Sequence, residues 1–222
     1  MVLPIMHQNE KEKKTCIKCQ KELFYMKEPI CKRCGRSIEY DTQEFCYDCA
    51  EKQFSFQQGK AIFSYKGKIK SSLYRFKYGN RKEYADFYAD EMEKQFGRWV
   101  LSRQPDVILP IPLHAKRKKV RGYNQAEEIA KSFGIRMNIP MDSTFIVRNK
   151  NTTPQKQLSM QERKKNLKNA FKITQNNVNY KCVILVDDIY TTGSTINEAA
   201  WVLKNAGVEN IYFICVSIGK GY

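Results

Sequence analysis

The chain has 222 residues, 42% of them hydrophobic, enough for one α/β domain of ordinary size and a small appendage. No apolar run approaches the roughly 20 residues of a membrane span, and Met1 to Lys14 lacks the apolar stretch and cleavage site of a signal peptide, so a cytoplasmic protein is expected. The formal charge of +16 is concentrated in residues 53–181, with 27 basic and 10 acidic side chains, whereas residues 1–52 hold ten and nine; such a field attracts polyphosphates and nucleic acid and is equally the mark of a basic, soluble surface.

Residues 1–52 hold six of the eight cysteines, as the pairs Cys16/Cys19, Cys31/Cys34 and Cys46/Cys49, with eleven residues between one pair and the next. In a reducing compartment, repeated C-x₂-C pairs point to a Cys₄ zinc site; disulfides are not expected there, nor is a redox motif outside a βαβ unit. One zinc takes four thiolates and six are present, and the spacing leaves open which four. This near-neutral module docks a partner or braces the fold. Cys182 and Cys215, in apolar strands, read as small core residues.

Residues 53–222 read as a second domain. A strand near Ala61–Tyr65 precedes basic helices near Ile69–Tyr78 and Glu83–Val100. Here Tyr65, Tyr74, Phe76, Tyr78, Tyr84, Phe87 and Tyr88 alternate with Lys66, Lys68, Lys70, Arg75, Lys77, Arg81 and Lys82. Aromatics among cations suit a single-strand groove, and aromatics at helical spacing equally suit a core. A strand, Asp106–Ile111, leads into His114, Lys116, Arg117, Lys118, Lys119 and Arg121, read as a charged turn. A helix, Asn124–Phe133, is expected to stop at Gly134. The strand Phe145–Val147 enters a polar loop, Arg148–Gln157, which either folds over a bound substrate or is plain surface. The segment Ser159–Asn169 reads as a helix with a capping box at Ser159 and Glu162. A strand, Lys181–Val186, the loop Asp187–Ser194, a helix Thr195–Ala206 ended by Gly207, and a strand Asn210–Ser217 complete the chain. Strands alternating with helices predict an α/β fold with a parallel sheet flanked by helices.

The most specific signal runs from Val183 to Thr195. Four apolar residues are followed by Asp187 and Asp188, then by Tyr190, Thr191, Thr192, Gly193, Ser194 and Thr195. In a parallel sheet, ligands sit beyond the carboxyl ends of the strands. Gly193 lets the backbone come close to a phosphate, the N–H groups of the opening helix favour an anion, and the four hydroxyls add donors. The two acids would repel a phosphate, but suit ribose hydroxyls and Mg²⁺. No lysine follows the glycine, so this is not a Walker loop.

The stretch resembles the signature of type I phosphoribosyltransferases. The resemblance implies that Asp187 and Asp188 bind the ribose 2- and 3-hydroxyls and that residues 190–195 grip the 5-phosphate of phosphoribosyl pyrophosphate. Its diphosphate needs cations, for which Arg121 and Asn124 are the candidates; Arg121 joins the two acids in the expected catalytic set. The blocks Pro110–Leu113, Arg121–Gln125, Gln155–Leu158, Glu162–Arg163, Asn166–Phe171 and Val186–Thr195, after a cysteine module, are similar in order to the ComF family of late-competence proteins. That resemblance implies a phosphoribosyltransferase fold, a part in taking up single-stranded DNA, and a helicase-like DNA-import ATPase as partner. The family commonly has four cysteine pairs, like a double zinc ribbon; this sequence is cysteine-free before Cys16. Cys31, Cys34, Cys46 and Cys49 would then form an intact ribbon, with Cys16 and Cys19 orphaned or in another arrangement. The expected function is binding of phosphoribosyl pyrophosphate with Mg²⁺ in competence-related DNA uptake. The alternatives are turnover on an unidentified acceptor and a ligand sensor without turnover.

Overall fold

The computed structural model describes residue 15 and residues 17–149, 169–174 and 179–219. Cys16, nearly all of the loop Arg148–Gln157, and the expected helix Ser159–Asn169 up to its last residue lie outside them. In chain order the elements are α1 (Ile17–Gln20), α2 (Tyr47–Glu51), β1 (Gln58–Ser64), α3 (Gly67–Tyr78), α4 (Tyr84–Leu101), β2 (Val107–Pro110), α5 (Ala115–Arg121), α6 (Gln125–Met137), β3 (Ile146–Arg148), β4 (Phe171–Ile173), β5 (Cys182–Tyr190), α7 (Ser194–Asn205) and β6 (Asn210–Ile218).

β1, β6, β5 and β2 lie in that order in one parallel sheet, and β3 and β4 form a separate antiparallel pair. Side chains alternate across the sheet with period two. Ile184, Val186, Ile214 and Val216 enter a core with α3, α4 and α6. Val183, Leu185, Phe213 and Cys215 enter a second core with α7, and the four cysteines at 31, 34, 46 and 49 belong to that same core. Burial on both faces is why β5 starts as an unbroken apolar run. The cysteine module also covers the outer edge of β1, which would otherwise present unpaired backbone groups: Met26 N–H donates to the Ile62 carbonyl (2.9 Å), Ser64 N–H to Phe24 (2.8 Å) and Gly59 N–H to Arg33 (2.7 Å).

Three local expectations change, and one strand is added. β5 continues through both acids to Tyr190, because β6 is equally long and pairs with it as far as Ile218; the loop shrinks to Thr191–Gly193. The helix expected to stop at Gly134 runs on to Met137 and ends at Asn138 in the left-handed region. Gly134 serves close packing instead, since a Cβ there would lie 2.8 Å from the Ile139 carbonyl. The basic run is a helix, α5, capped by His114 Nδ1 accepting from Lys116 N–H. β4 had no counterpart in the sequence pattern. Of the interleaved aromatics, Phe76, Tyr84, Phe87 and Tyr88 are buried, while Tyr74 and Tyr78 stay exposed at 61% and 55%. No helix of the described residues is long and apolar enough to cross a membrane.

Candidate functional site

β2 and β5 are neighbours and run parallel, so the chain leaves both at the same end of the sheet. A cavity of about 300 Å³ opens there, walled by the segment after β2, by Asp187, Asp188, Ile189, Thr191 and Thr195, by α3 and by Arg148. Adjacent residues in a strand point to opposite faces. Asp188 turns toward α3 and forms an ion pair with Lys77 (2.6 Å). Asp187 accepts the Asp188 N–H (2.8 Å) and lies in the field of Arg148 on β3.

Burial, and then the charge of Asp188, push the Asp187 carboxyl up from 3.8 to about 7; the Asp188 N–H, Lys77 and Arg148 oppose this. An acid raised in the fold favours the folded state while protonated, and that contribution fades as pH rises from about 4 through 7. Asp188→Asn removes the like charge. In carbon-detected NMR of the ligand-free protein, the Asp187 titration is expected to move to lower pH; an unmoved titration would show that the neighbouring charge plays no part.

Cations face these acids. Lys77, Arg117, Arg121 and Arg148 all line the cavity. Arg117 and Arg121 are one helical turn apart, which puts both on the inner side of α5 while Lys116, Lys118 and Lys119 stay exposed. Arg121 donates to Gln125 Oε1 (3.0 Å) and to the Tyr78 hydroxyl (3.3 Å), with its guanidinium 5.1 Å from the Tyr78 ring centre. Burial, and repulsion from Arg117, pull Arg148 down to about 10, with Asp187 opposing. The sequence pointed to Arg121. It placed Lys77 only among the cations of a single-strand groove and Arg148 only at the start of the polar loop, because α3 and β3 reach the acids only through the fold.

The other expected residues divide. Thr191 and Thr195 line the cavity. Thr192 and Ser194 share a hydrogen bond between their hydroxyls (2.9 Å). Gly193 is the N-cap of α7, with φ of 78°, and as glycine it has no side chain with which to cap that helix, whose N-terminus favours an anion. A Cβ on Gly193 would come within 2.4 Å of the Tyr190 hydroxyl, so glycine is also needed for packing. Tyr190 itself is a core residue, stacked on Phe213 with ring centres 4.8 Å apart. Asn124 borders the cavity, but its side chain caps α6 through Ala126 N–H (3.2 Å) and donates to the Ile111 carbonyl (3.0 Å).

The sulfurs of Cys31, Cys34, Cys46 and Cys49 all lie within 4.8 Å of one another, and those of Cys34 and Cys46 are 3.7 Å apart. Tetrahedral zinc, with Zn–S bonds of about 2.3 Å, needs sulfurs about 3.8 Å apart, so this buried donor set fits structural zinc. Cys19 is buried but outside the group, and Cys16 lies outside the described residues.

Comparison with known proteins agrees with the fold and the cysteine cluster. The phosphoribosyl transferase domain model matches residues 88–221 and the double zinc ribbon domain model residues 6–50. Competence protein ComFC of Bacillus subtilis is 28% identical, over 88% of this chain and 80% of its own. DNA utilization protein YhgH of Escherichia coli K12 is 28% identical, over 84% and 83%. Competence protein F of Haemophilus influenzae is 33% identical, over 88% and 86%. With the transferase model matching more than half of its length, and competence proteins aligned along most of it, the chain belongs to the ComF family of phosphoribosyltransferase-fold proteins with an N-terminal zinc ribbon.

Proposed function

We propose that this protein binds phosphoribosyl pyrophosphate with Mg²⁺ and works in competence-related handling of single-stranded DNA. One observation carries the first half: Asp187 and Asp188 share a cavity with Lys77, Arg117, Arg121 and Arg148. Carboxylates alone would repel a sugar diphosphate, and cations alone would not select its ribose. Asp187 and Asp188 would hold Mg²⁺, directly or through water, and the ion would neutralise the diphosphate. Thr191, Thr195 and the N-terminus of α7 suit the 5-phosphate. Calorimetric titration of the zinc-loaded protein with phosphoribosyl pyrophosphate, with and without Mg²⁺, tests this. Micromolar binding that needs Mg²⁺ is expected; no binding by well-folded protein would overturn it.

The second half rests on the named relatives and on the surface beside the cavity. Tyr74 and Tyr78 are exposed, with ring centres 5.0 Å apart, and α5 presents Lys116 and Lys119 nearby in sequence to the Arg121 that touches Tyr78. Stacking a base on an aromatic ring contributes about 1–3 kcal/mol. Tyr74→Ala is therefore expected to weaken binding of an oligothymidine strand by about 5- to 100-fold, with its salt dependence unchanged. Unchanged affinity would remove α3 from the DNA path. The helicase-like DNA-import ATPase implied by the family resemblance belongs to the same proposal, as does a cytoplasmic location.

Turnover is the second reading. Tyr65, Leu73, Ile111 and Leu113 give the cavity an apolar wall that a ribose phosphate does not need and an acceptor does. Pyrophosphate release on adding an acceptor separates an enzyme from a sensor.

A further inference from the structure

We propose that the cysteine module sets the shape of the phosphate loop, with Arg36 as the positioning residue, so that grip on a sugar 5-phosphate depends on the metal-bound ribbon. This rests on the sugar-phosphate reading of the cavity for its ligand, but not for its mechanics.

The loop between β5 and α7 has three residues, Thr191–Gly193. Arg36 Nη2 donates to the Thr191 carbonyl at 2.7 Å, and Nη1 of the same guanidinium is 3.2 Å from Asp48 Oδ2. Lys52 holds the other Asp48 oxygen at 2.5 Å. The Arg36 and Asp48 side chains are only 11% and 6% exposed, so water screens the pair weakly. The anchoring is in the sequence. Arg36 follows the Cys31/Cys34 pair by two residues, and Asp48 sits inside the Cys46/Cys49 pair. An ion held by those four sulfurs fixes both ends of the ion pair, and the rigid fork of the guanidinium passes that geometry to Thr191. The peptide unit is planar and trans, so gripping the Thr191 carbonyl also fixes the direction of the Thr192 N–H.

Two further contacts act on the same segment. The Phe54 ring fills the space beside Gly193, where a Cβ would meet its Cε1 at 3.0 Å. Ser55 N–H donates to Asn197 Oδ1 (2.7 Å), and Asn197 is in the first turn of α7. The module thus touches the loop at its start through Arg36, and the segment Phe54–Ser55 that directly follows the module touches the loop at its glycine and at the opening of the helix. The cations facing the diphosphate end, Arg117 and Arg121, stand on α5, and Arg121 is held there by Gln125 and Tyr78, away from the module.

That asymmetry makes the test selective. Three zinc-loaded proteins are compared, the natural chain, Arg36→Met and Arg36→Lys, together with the natural chain after chelation. Hydrogen exchange at the Thr192–Ser194 amides is read without ligand, and affinities are measured for ribose 5-phosphate and for pyrophosphate with Mg²⁺. In Arg36→Met, exchange is expected to quicken at least fivefold and ribose 5-phosphate affinity to fall about tenfold, with pyrophosphate affinity within twofold and zinc retained. Chelation should reproduce this pattern, and Arg36→Lys, which keeps the charge without the fork, should fall between. Unchanged exchange in a variant that keeps its zinc overturns the coupling, as does equal loss of both ligands. Should the natural chain bind no ribose 5-phosphate while exchange still responds, the mechanical coupling stands and the sugar-phosphate reading fails. If Arg36→Met does not fold, Asn197→Ala, which cuts the Ser55 tie from the α7 side, is expected to give the same selective loss.

Discussion

Asp188→Ala is expected to abolish Mg²⁺-dependent binding of phosphoribosyl pyrophosphate, weakening it by about 100-fold or more, while binding of single-stranded DNA is largely kept. Asp188 is 8% exposed, and its carboxylate lies 2.6 Å from Lys77 at the rim of the cavity. On the proposed reading, truncation would remove an acceptor for a ribose hydroxyl and a ligand for the ion. Hydrogen bonds to charged groups contribute about 1.5–3 kcal/mol each, so losing both costs about 3–6 kcal/mol. The cavity also becomes more positive, because Lys77 loses its counter-charge. Pyrophosphate without Mg²⁺ should therefore bind the variant at least as well as the natural protein, which separates a lost ribose and ion site from a collapsed fold. Calorimetry with the two ligands and an oligothymidine strand checks all three statements. If DNA binding collapsed equally in a folded variant, sugar phosphate and DNA would share one site and the separate path over Tyr74 would be wrong.

The acids were legible because of what surrounds them. A buried apolar run, two acids and a hydroxyl-rich turn with a glycine have few structural explanations. What the sequence left unsaid is set by contacts between distant segments. Whether β5 ends before or after Asp187 depends on the length of β6, which pairs Asp187 with Cys215 and Tyr190 with Ile218. Ala115–Arg121 contains only one alanine and one valine among its cations, so no apolar period marks α5 as a helix. Its Arg117 and Arg121 turn inward toward the acids, and the exposed lysines turn out. Lys77 belongs to a helix whose sequence predicts a core face, and only the packing of α3 against the sheet brings it to Asp188. Tyr190 shows the opposite case. Its place in the motif suggested ligand contact, and the strand's extension turned its ring into the core against Phe213.

The cysteines divide the same way: spacing announced metal, and only space says which thiolates meet. Cys34→Ser is accordingly expected to lose zinc and to lower the thermal midpoint by about 10 °C, whereas Cys19→Ser keeps both. Cys34 is fully buried in the core shared with β5, β6 and α7. Serine at that position is a poor zinc ligand and leaves a buried hydroxyl in the place of a thiolate, a change of about 1–3 kcal/mol before any loss of metal. Loss of the ion also frees the loops that it closes, and metal binding free energy in such modules is folding free energy. A total of about 3–5 kcal/mol shifts the midpoint of a chain this size by about 2–4 °C per kcal/mol. Metal content by elemental analysis and a thermal scan on each variant give the answer. One zinc per chain, lost only with Cys34, means that Cys31, Cys34, Cys46 and Cys49 hold it alone. Two zinc ions, one of them lost in Cys19→Ser, would mean that the first cysteine pair completes a second site with groups beyond the described residues, although the chain is cysteine-free before Cys16.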